Sequence, residues 1–387
     1  MAKNKKKKSD ESTSKPDEVR SSIDELMDNT DFRQSSDTSI LTGAQKTPTP
    51  IEVLNILLGG GLPLGMVAQS WGPPGGGKST WLYQSMALFQ ERFPDGLGII
   101  IDVESSADAE RIGYLGVQLD RVLRLPSASI KSGFTNLIQV IKNKENNDSL
   151  KEMPVFVIWD TISKAKAEDE SVQSRMSAMD RARIIKNYMA ELLPLIEKHH
   201  MFLGLLNQVI YYDKGYGYQG EKAGGGISLK HDLHFSTYIK SEKSEYEGPF
   251  IKTVVSNMDV DKSKISPIMH NIPIVLDVSQ GGRIDTVRSF VDYCCNIELI
   301  EQSKGWYNFA PVLKRYEGTP YCGYLSNKSY RYHDLVEAFR ENTELYEMFV
   351  VFIGNLIGSI YYLQKGIIDE YIVPIDKKYN PDIYEKE

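Results

Sequence analysis

Residues 66–82 read MVAQSWGPPGGGKSTWL, and the segment GPPGGGKST from Gly72 to Thr80 satisfies GxxxxGK[ST]. An apolar run, residues 66–71, precedes it. Leu82, Met86, Phe89 and Phe93 follow at i, i+4, i+7 and i+11, the stripe of a helix. Strand, glycine loop and helix in that order let backbone N–H groups curl round phosphate oxygens, and the helix N-terminus adds partial positive charge. Gly72, Pro73, Pro74, Gly75, Gly76, Gly77, Lys78, Ser79 and Thr80 are therefore candidate nucleotide contacts. Lys78 would reach the β/γ-phosphates and Ser79 would hold Mg²⁺, so ATP and Mg²⁺ are the expected cofactors.

Outward from this motif the chain has α/β texture. Residues 66–71, 97–103, 155–160 and 201–207 are short, nearly continuous apolar runs, as expected of strands buried on both faces of a mostly parallel sheet. Between them, Phe134, Leu137, Ile138 and Ile141 make one helical stripe, and Ile185, Met189, Leu192 and Ile196 another. Pro194 is expected to kink or split that last helix. Residues 211–226, rich in Gly and Tyr, read as a loop, with strands near 235–240 and 250–256 after it. The expected organisation is a polar, basic tail (1–18), an N-terminal arm (19–50), to which the family resemblance given below assigns oligomerisation, an ATPase core (51–284) and a small C-terminal α+β domain (285–387).

Composition narrows the function classes. With 387 residues, 41% hydrophobic and 25% charged, the chain falls in the globular range, and its length allows roughly two to three domains. Net charge is −7, yet the first eight residues hold five lysines and no acid, so the rest carries 40 basic side chains against 52 acidic, a net −12. That excludes nucleic-acid binding by bulk charge and requires any such site to be local. Cys294, Cys295 and Cys322 lack CxxC or zinc spacing, which fits a reducing, cytoplasmic setting. No apolar segment follows the basic N-terminus, and residues 348–363 are interrupted by Gly354, Asn355, Gly358 and Ser359, so neither secretion nor a membrane span is expected.

Two strand ends carry further chemistry. Residues 155–160, VFVIWD, end in Asp160, where a carboxylate would sit beside the Mg²⁺ of a phosphate loop. Residues 97–104, LGIIIDVE, end in Glu104, a candidate base for the attacking water. Spacing alone leaves Glu104 equally readable as an exposed loop acid.

GGGLPLGMVAQSWGPPGGGKST, IDVESSAD, VFVIWDTIS and FLGLLNQV, in this order and spacing, resemble the core of the RecA recombinase family over about residues 50–307, in the manner of its phage-type UvsX members. The resemblance implies a RecA-type P-loop ATPase core with a mostly parallel central sheet flanked by helices, a short N-terminal arm and a small C-terminal α+β domain. By position it makes Lys78 and Ser79 the phosphate and Mg²⁺ residues, Glu104 the activator of water, Asp160 the second Mg²⁺ residue and Asp108 an adenine contact. The family's adenine-stacking tyrosines are replaced by Arg111 and, approximately, Val287. Gln208 takes the place of the family's γ-phosphate sensor, and Lys262 and Lys264 match a lysine pair that reaches the neighbouring subunit's ATP. Two DNA-binding loops are implied. One carries Tyr211, Tyr212, Lys214, Tyr216, Tyr218 and Lys222, suited to stacking on bases and touching phosphates. The other carries Lys164, Lys166, Arg175, Arg181 and Arg183. Either segment also reads as a bland solvated loop, and Trp306 and Tyr307 read as core.

The resulting expectation is an ATP-dependent recombinase that forms a helical filament on single-stranded DNA, pairs it with homologous duplex and hydrolyses ATP. Its partners would be single- and double-stranded DNA and further copies of itself, with single-strand-binding and loader proteins as candidate accessories and no membrane. If the chain is phage-encoded, the setting is the host cytoplasm. A hexameric helicase or RadA-like motor on the same core is the first alternative, and a non-hydrolysing ATP- and DNA-binding scaffold the second.

Overall fold

The computed structural model describes residues 45–103, 108–127, 129–163, 178–213, 219–224 and 226–384. The expected tail, the arm up to Ala44, Glu104, Lys164, Lys166, Arg175, Lys214, Tyr216 and Tyr218 lie outside them.

The described chain opens with β1 (Lys46–Thr47), α1 (Glu52–Leu57) and β2 (Leu62–Pro63). Next come β3 (Val67–Gly72), α2 (Lys78–Arg92), β4 (Leu97–Asp102), α3 (Ala109–Tyr114) and β5 (Val122–Pro126). They lead to α4 (Ile130–Glu145), β6 (Val155–Asp160), α5 (Ala178–Lys198) and β7 (Met201–Asp213). β8 (Gln219–Ala223), α6 (Gly226–Asp232), β9 (Phe235–Glu247), β10 (Phe250–Ser263), β11 (Ile272–Asp277) and β12 (Arg283–Ile284) complete the sheet region. The remainder is α7 (Thr286–Asn296), β13 (Glu301–Ser303), β14 (Trp306–Asn308), α8 (Ala310–Arg315), α9 (Tyr332–Glu341), α10 (Thr343–Ile360) and α11 (Lys365–Tyr379).

One large sheet runs in the order β12-β11-β10-β9-β3-β7-β6-β4-β5, with β8 paired to the end of β7. From β9 through β5 neighbours are parallel, while β10, β11 and β12 add antiparallel to the β9 edge. Both faces are covered, which is why Ile99, Ile100, Ile101 and Val155 to Trp159 are all buried and read as unbroken apolar runs. α4, α5 and α6 cover one face through Phe134, Leu137, Ile185, Met189, Ile196 and Leu229. On the other, α2 is buried almost all round, Trp81 as well as Leu82 and Met86, with β1 and β12 packed against it outside the parallel strands.

The C-terminal helices share that second core. Phe290, Phe339, Phe349 and Phe352 belong to the same buried cluster as Leu54 and Phe89. Polar ties secure the contact: Tyr371 donates to Glu52 at 2.8 Å, Tyr346 donates to it at 3.2 Å, and the Lys46 ammonium lies 2.6 Å from Glu370. Burial pushes the Glu52 carboxyl above its ordinary range. Thr47 and Thr49 are also buried, so packing of the described body begins before residue 50. α10 is long and apolar enough to cross a membrane by length and composition, but Met348 to Gly354, Ile357 and Gly358 are buried in this core.

Three expectations are corrected. α5 is not split at Pro194 but continues to Lys198 as one helix, since Met189, Leu192 and Ile196 are clamped against the sheet on both sides of the lost hydrogen bond. The expected loop after residue 210 is largely a ribbon: β7 runs on to Asp213 and returns as β8, pairing Tyr211 with Glu221 and Tyr212 with Gly220. Trp306 is 43% exposed rather than core, because the two-stranded β13–β14 hairpin turns it outward, where the Arg331 guanidinium stacks 4.0 Å over its ring.

Candidate nucleotide site

Parallel pairing brings the chemistry to one edge. Gly72 lies opposite Gln208 and Asp102 opposite Asp160, so the ends of β3, β4 and β6 meet Gln208 of β7 at the same carboxyl-terminal edge, where open α/β sheets bind ligands. A cavity of about 280 Å³ sits there. Its walls include the sequence candidates Pro74, Gly75, Lys78, Ser79, Asp108, Asp160 and Gln208, together with Tyr83, Arg111 and Asn207.

The loop geometry follows from glycine. Gly72 has φ +142° and its α-carbon faces the Ile239 carbonyl so closely that any Cβ would lie 2.0 Å from that oxygen. Gly77 has φ +94° and starts α2 without a side-chain cap, so the first-turn N–H groups have no side-chain acceptor from it. Lys78 bends its ammonium back to the Pro73 carbonyl at 2.6 Å. Burial pushes the Lys78 pKa down, and the Asp160 carboxylate works against that fall.

Asp160 is held through both oxygens: Thr161 donates at 2.7 Å to Oδ1, and Tyr83 lies 3.4 Å from Oδ2. Beside it the buried Asp102 carboxylate is paired with Arg124 at 2.9 Å. Asp108 spends one carboxylate oxygen capping α3, accepting from the Glu110 N–H at 2.9 Å. The donor set fits a nucleoside triphosphate with Mg²⁺. Ser79 and Asp160 are hard oxygen donors on one cavity, facing a lysine and an uncapped helix N-terminus. Among the described residues no cluster of three His, Cys, Asp or Glu forms a metal site of another kind.

The remaining sequence candidates fall elsewhere. Tyr211 and Tyr212 are 54% and 40% exposed on the β7–β8 ribbon, and the Lys222 ammonium lies 5.2 Å over the Tyr212 ring. Arg183 is exposed on α5, whereas Arg181 turns inward and donates to the Ser163 carbonyl at 2.8 Å. Lys262 pairs with Ser236, and Ser236 with Gln69, which puts Lys262 and the following Lys264 at the amino-terminal edge of the sheet, opposite the phosphate loop. There Lys262 donates to the Lys230 and His231 carbonyls at the end of α6. Tyr83 was not singled out from sequence: it lies one position beyond the apolar stripe residue Leu82, and only the neighbouring strand end gives its hydroxyl a role.

No family model matches the chain. RecA of Syntrophus aciditrophicus is 24% identical over 263 residues, covering 68% of this chain and 74% of that protein. RecA of Acholeplasma laidlawii is 26% identical over 276 residues, covering 67% and 76%. RecA 2 of Myxococcus xanthus is 23% identical over 279 residues, covering 72% and 75%. The chain is thus similar over about two thirds of its length to several RecA proteins, and its mostly parallel sheet carries a phosphate loop at its carboxyl edge.

Proposed function

We propose that this protein is a DNA-dependent ATPase that assembles on single-stranded DNA as a filament and carries out homologous pairing and strand exchange. The observation that carries this reading is the continuity of β7. Gln208 lines the nucleotide cavity, and Tyr211 stands exposed three residues further along the same strand, about 10 Å away at the rise of a β-strand. A shift of Gln208 toward a γ-phosphate would move the ribbon that meets DNA, and the converse holds by linkage.

Within the site, the glycine loop and the N-terminus of α2 would seat the phosphates, and Lys78 would neutralise the β/γ-phosphates. Ser79 and Asp160 would hold Mg²⁺, which when bound supplies further charge neutralisation on the phosphates. Lys262 and Lys264 lie at the sheet edge away from their own subunit's cavity, and in a head-to-tail assembly they would serve the cavity of the next copy. Glu104 is proposed as the base by family position alone.

The test is D-loop formation by the full chain and by Lys78→Ala, each with and without ATP. ATP-dependent pairing by the parent and none by the variant is expected. ATP hydrolysis without pairing, together with closed rings in electron micrographs, would favour a helicase-type motor instead.

A further inference from the structure

Arg111 stands in the cavity wall on α3, away from the glycine loop that supplies Lys78. Its side chain is exposed, so it is not a packing residue of the core. Its Nη2 lies 3.4 Å from Oγ1 of Thr80, in the first turn of α2. Among the described residues no carboxylate lies within ion-pair distance of it, although Asp108 is only three positions away, because Asp108 is turned to cap α3. A guanidinium whose N–H edge faces a helix N-terminus is oriented for an anion seated on that terminus.

We propose that Arg111 is a phosphate ligand, donating to a non-bridging oxygen of the α/β-phosphates seated on the first turn of α2. The site would then hold its polyphosphate between two cations from different elements, Lys78 on α2 and Arg111 on α3. This rests on the nucleotide-binding reading above, and it assigns α3 a clamping role: the nucleotide would tie α3 to α2 through its phosphates.

The test is calorimetric titration of the full chain and of Arg111→Ala, Arg111→Lys and Arg111→Tyr with Mg²⁺-ATP and with Mg²⁺-tripolyphosphate, which has no base. A phosphate contact predicts that Arg111→Ala weakens both ligands by on the order of tenfold, as for loss of one charge-assisted hydrogen bond. Arg111→Lys should recover part of the loss, Arg111→Tyr none, and the loss should shrink as salt is raised. Weakened ATP with unchanged tripolyphosphate, restored by Arg111→Tyr, would assign Arg111 to the base and overturn the proposal. Unchanged affinity in Arg111→Ala would overturn it as well. So would a lowered melting temperature without ligand and no recovery in Arg111→Lys, which would mark a structural role. If the parent itself binds neither ligand, the nucleotide reading fails and this inference with it.

Discussion

The phenol of Tyr83 lies 3.4 Å from Oδ2 of Asp160 and joins two elements, the helix that starts at Lys78 and the strand end that faces it. Burial, followed by the Asp160 and Asp102 carboxylates, pushes the Tyr83 pKa far above its ordinary value, so this hydroxyl stays protonated and can only donate to Asp160. Tyr83→Phe keeps the packed ring and removes this donor from Oδ2. The Mg²⁺ concentration for half-maximal ATP hydrolysis should rise several-fold, with a stability cost of about 1 kcal/mol or less. An unchanged Mg²⁺ midpoint would show that the carboxylate is oriented without Tyr83.

Lys262 and Lys264 should separate when replaced singly. Lys262 donates to two carbonyls at the end of α6, a favourable site for a cation, so Lys262→Ala should cost about 0.3–1 kcal/mol of stability, seen in urea denaturation. Lys264→Ala should leave stability unchanged. Both variants should bind ATP as isolated subunits and lose DNA-stimulated hydrolysis. Mixing the double variant with Lys78→Ala subunits should restore part of it, because each supplies what the other lacks; no recovery in confirmed mixed filaments would sink the shared site.

His234 gives the fold an acid-sensitive point. Its Nδ1 accepts from the Val67 N–H at 3.2 Å, and burial, with Lys264 and Lys262 nearby, depresses its pKa from 6.5 to about 4. The unfolded chain takes up this proton near pH 6.5 and the folded chain only near pH 4, so the stabilisation is full above 6.5 and is lost as pH falls through that window. The loss should be on the order of 1–2 kcal/mol with partial solvent screening. His234→Asn offers an amide oxygen in place of Nδ1 and should flatten the decline in urea midpoint between pH 7 and pH 4.5.

Tyr211 and Tyr212 are successive residues of one strand and project to opposite faces of the ribbon. If one face meets DNA, one of Tyr211→Ala and Tyr212→Ala should carry most of the loss in single-stranded DNA affinity, roughly 1–3 kcal/mol for a stacked base. Neither should alter the salt dependence, whereas Lys222→Ala should make it shallower if Lys222 contacts phosphate. Equal, small effects of both tyrosines would remove the ribbon from the DNA interface.

Local features were legible because neighbouring residues encode them. GPPGGGKST between an apolar run and a helical stripe places Lys78 at the start of a helix, and the tightness around Gly72 matches a glycine no other residue could replace. Helix and strand ends were less secure. A proline in the last turns of α5 is tolerated once Met189, Leu192 and Ile196 are buried, and Trp306 is apolar yet outward-facing because its hairpin has only two strands and little to cover it.

From the sequence alone came the α/β class, the phosphate loop and the strand that ends in Asp160, carried by patterns a few residues long, while Gln208 and Asp108 came as candidates only through the family resemblance. Only the tertiary structure decided that Tyr83 meets Asp160, that Arg111 reaches Thr80, that Tyr211 and Tyr212 stand on a ribbon continuous with Gln208, and that Lys262 lies at the opposite sheet edge from Lys78. These relationships depend on the pairing of strands far apart in the chain, such as Gly72 with Gln208 and Asp102 with Asp160. Pairing of that kind is set by burial of both sheet faces at once, a property of the whole packed chain that no local spacing contains.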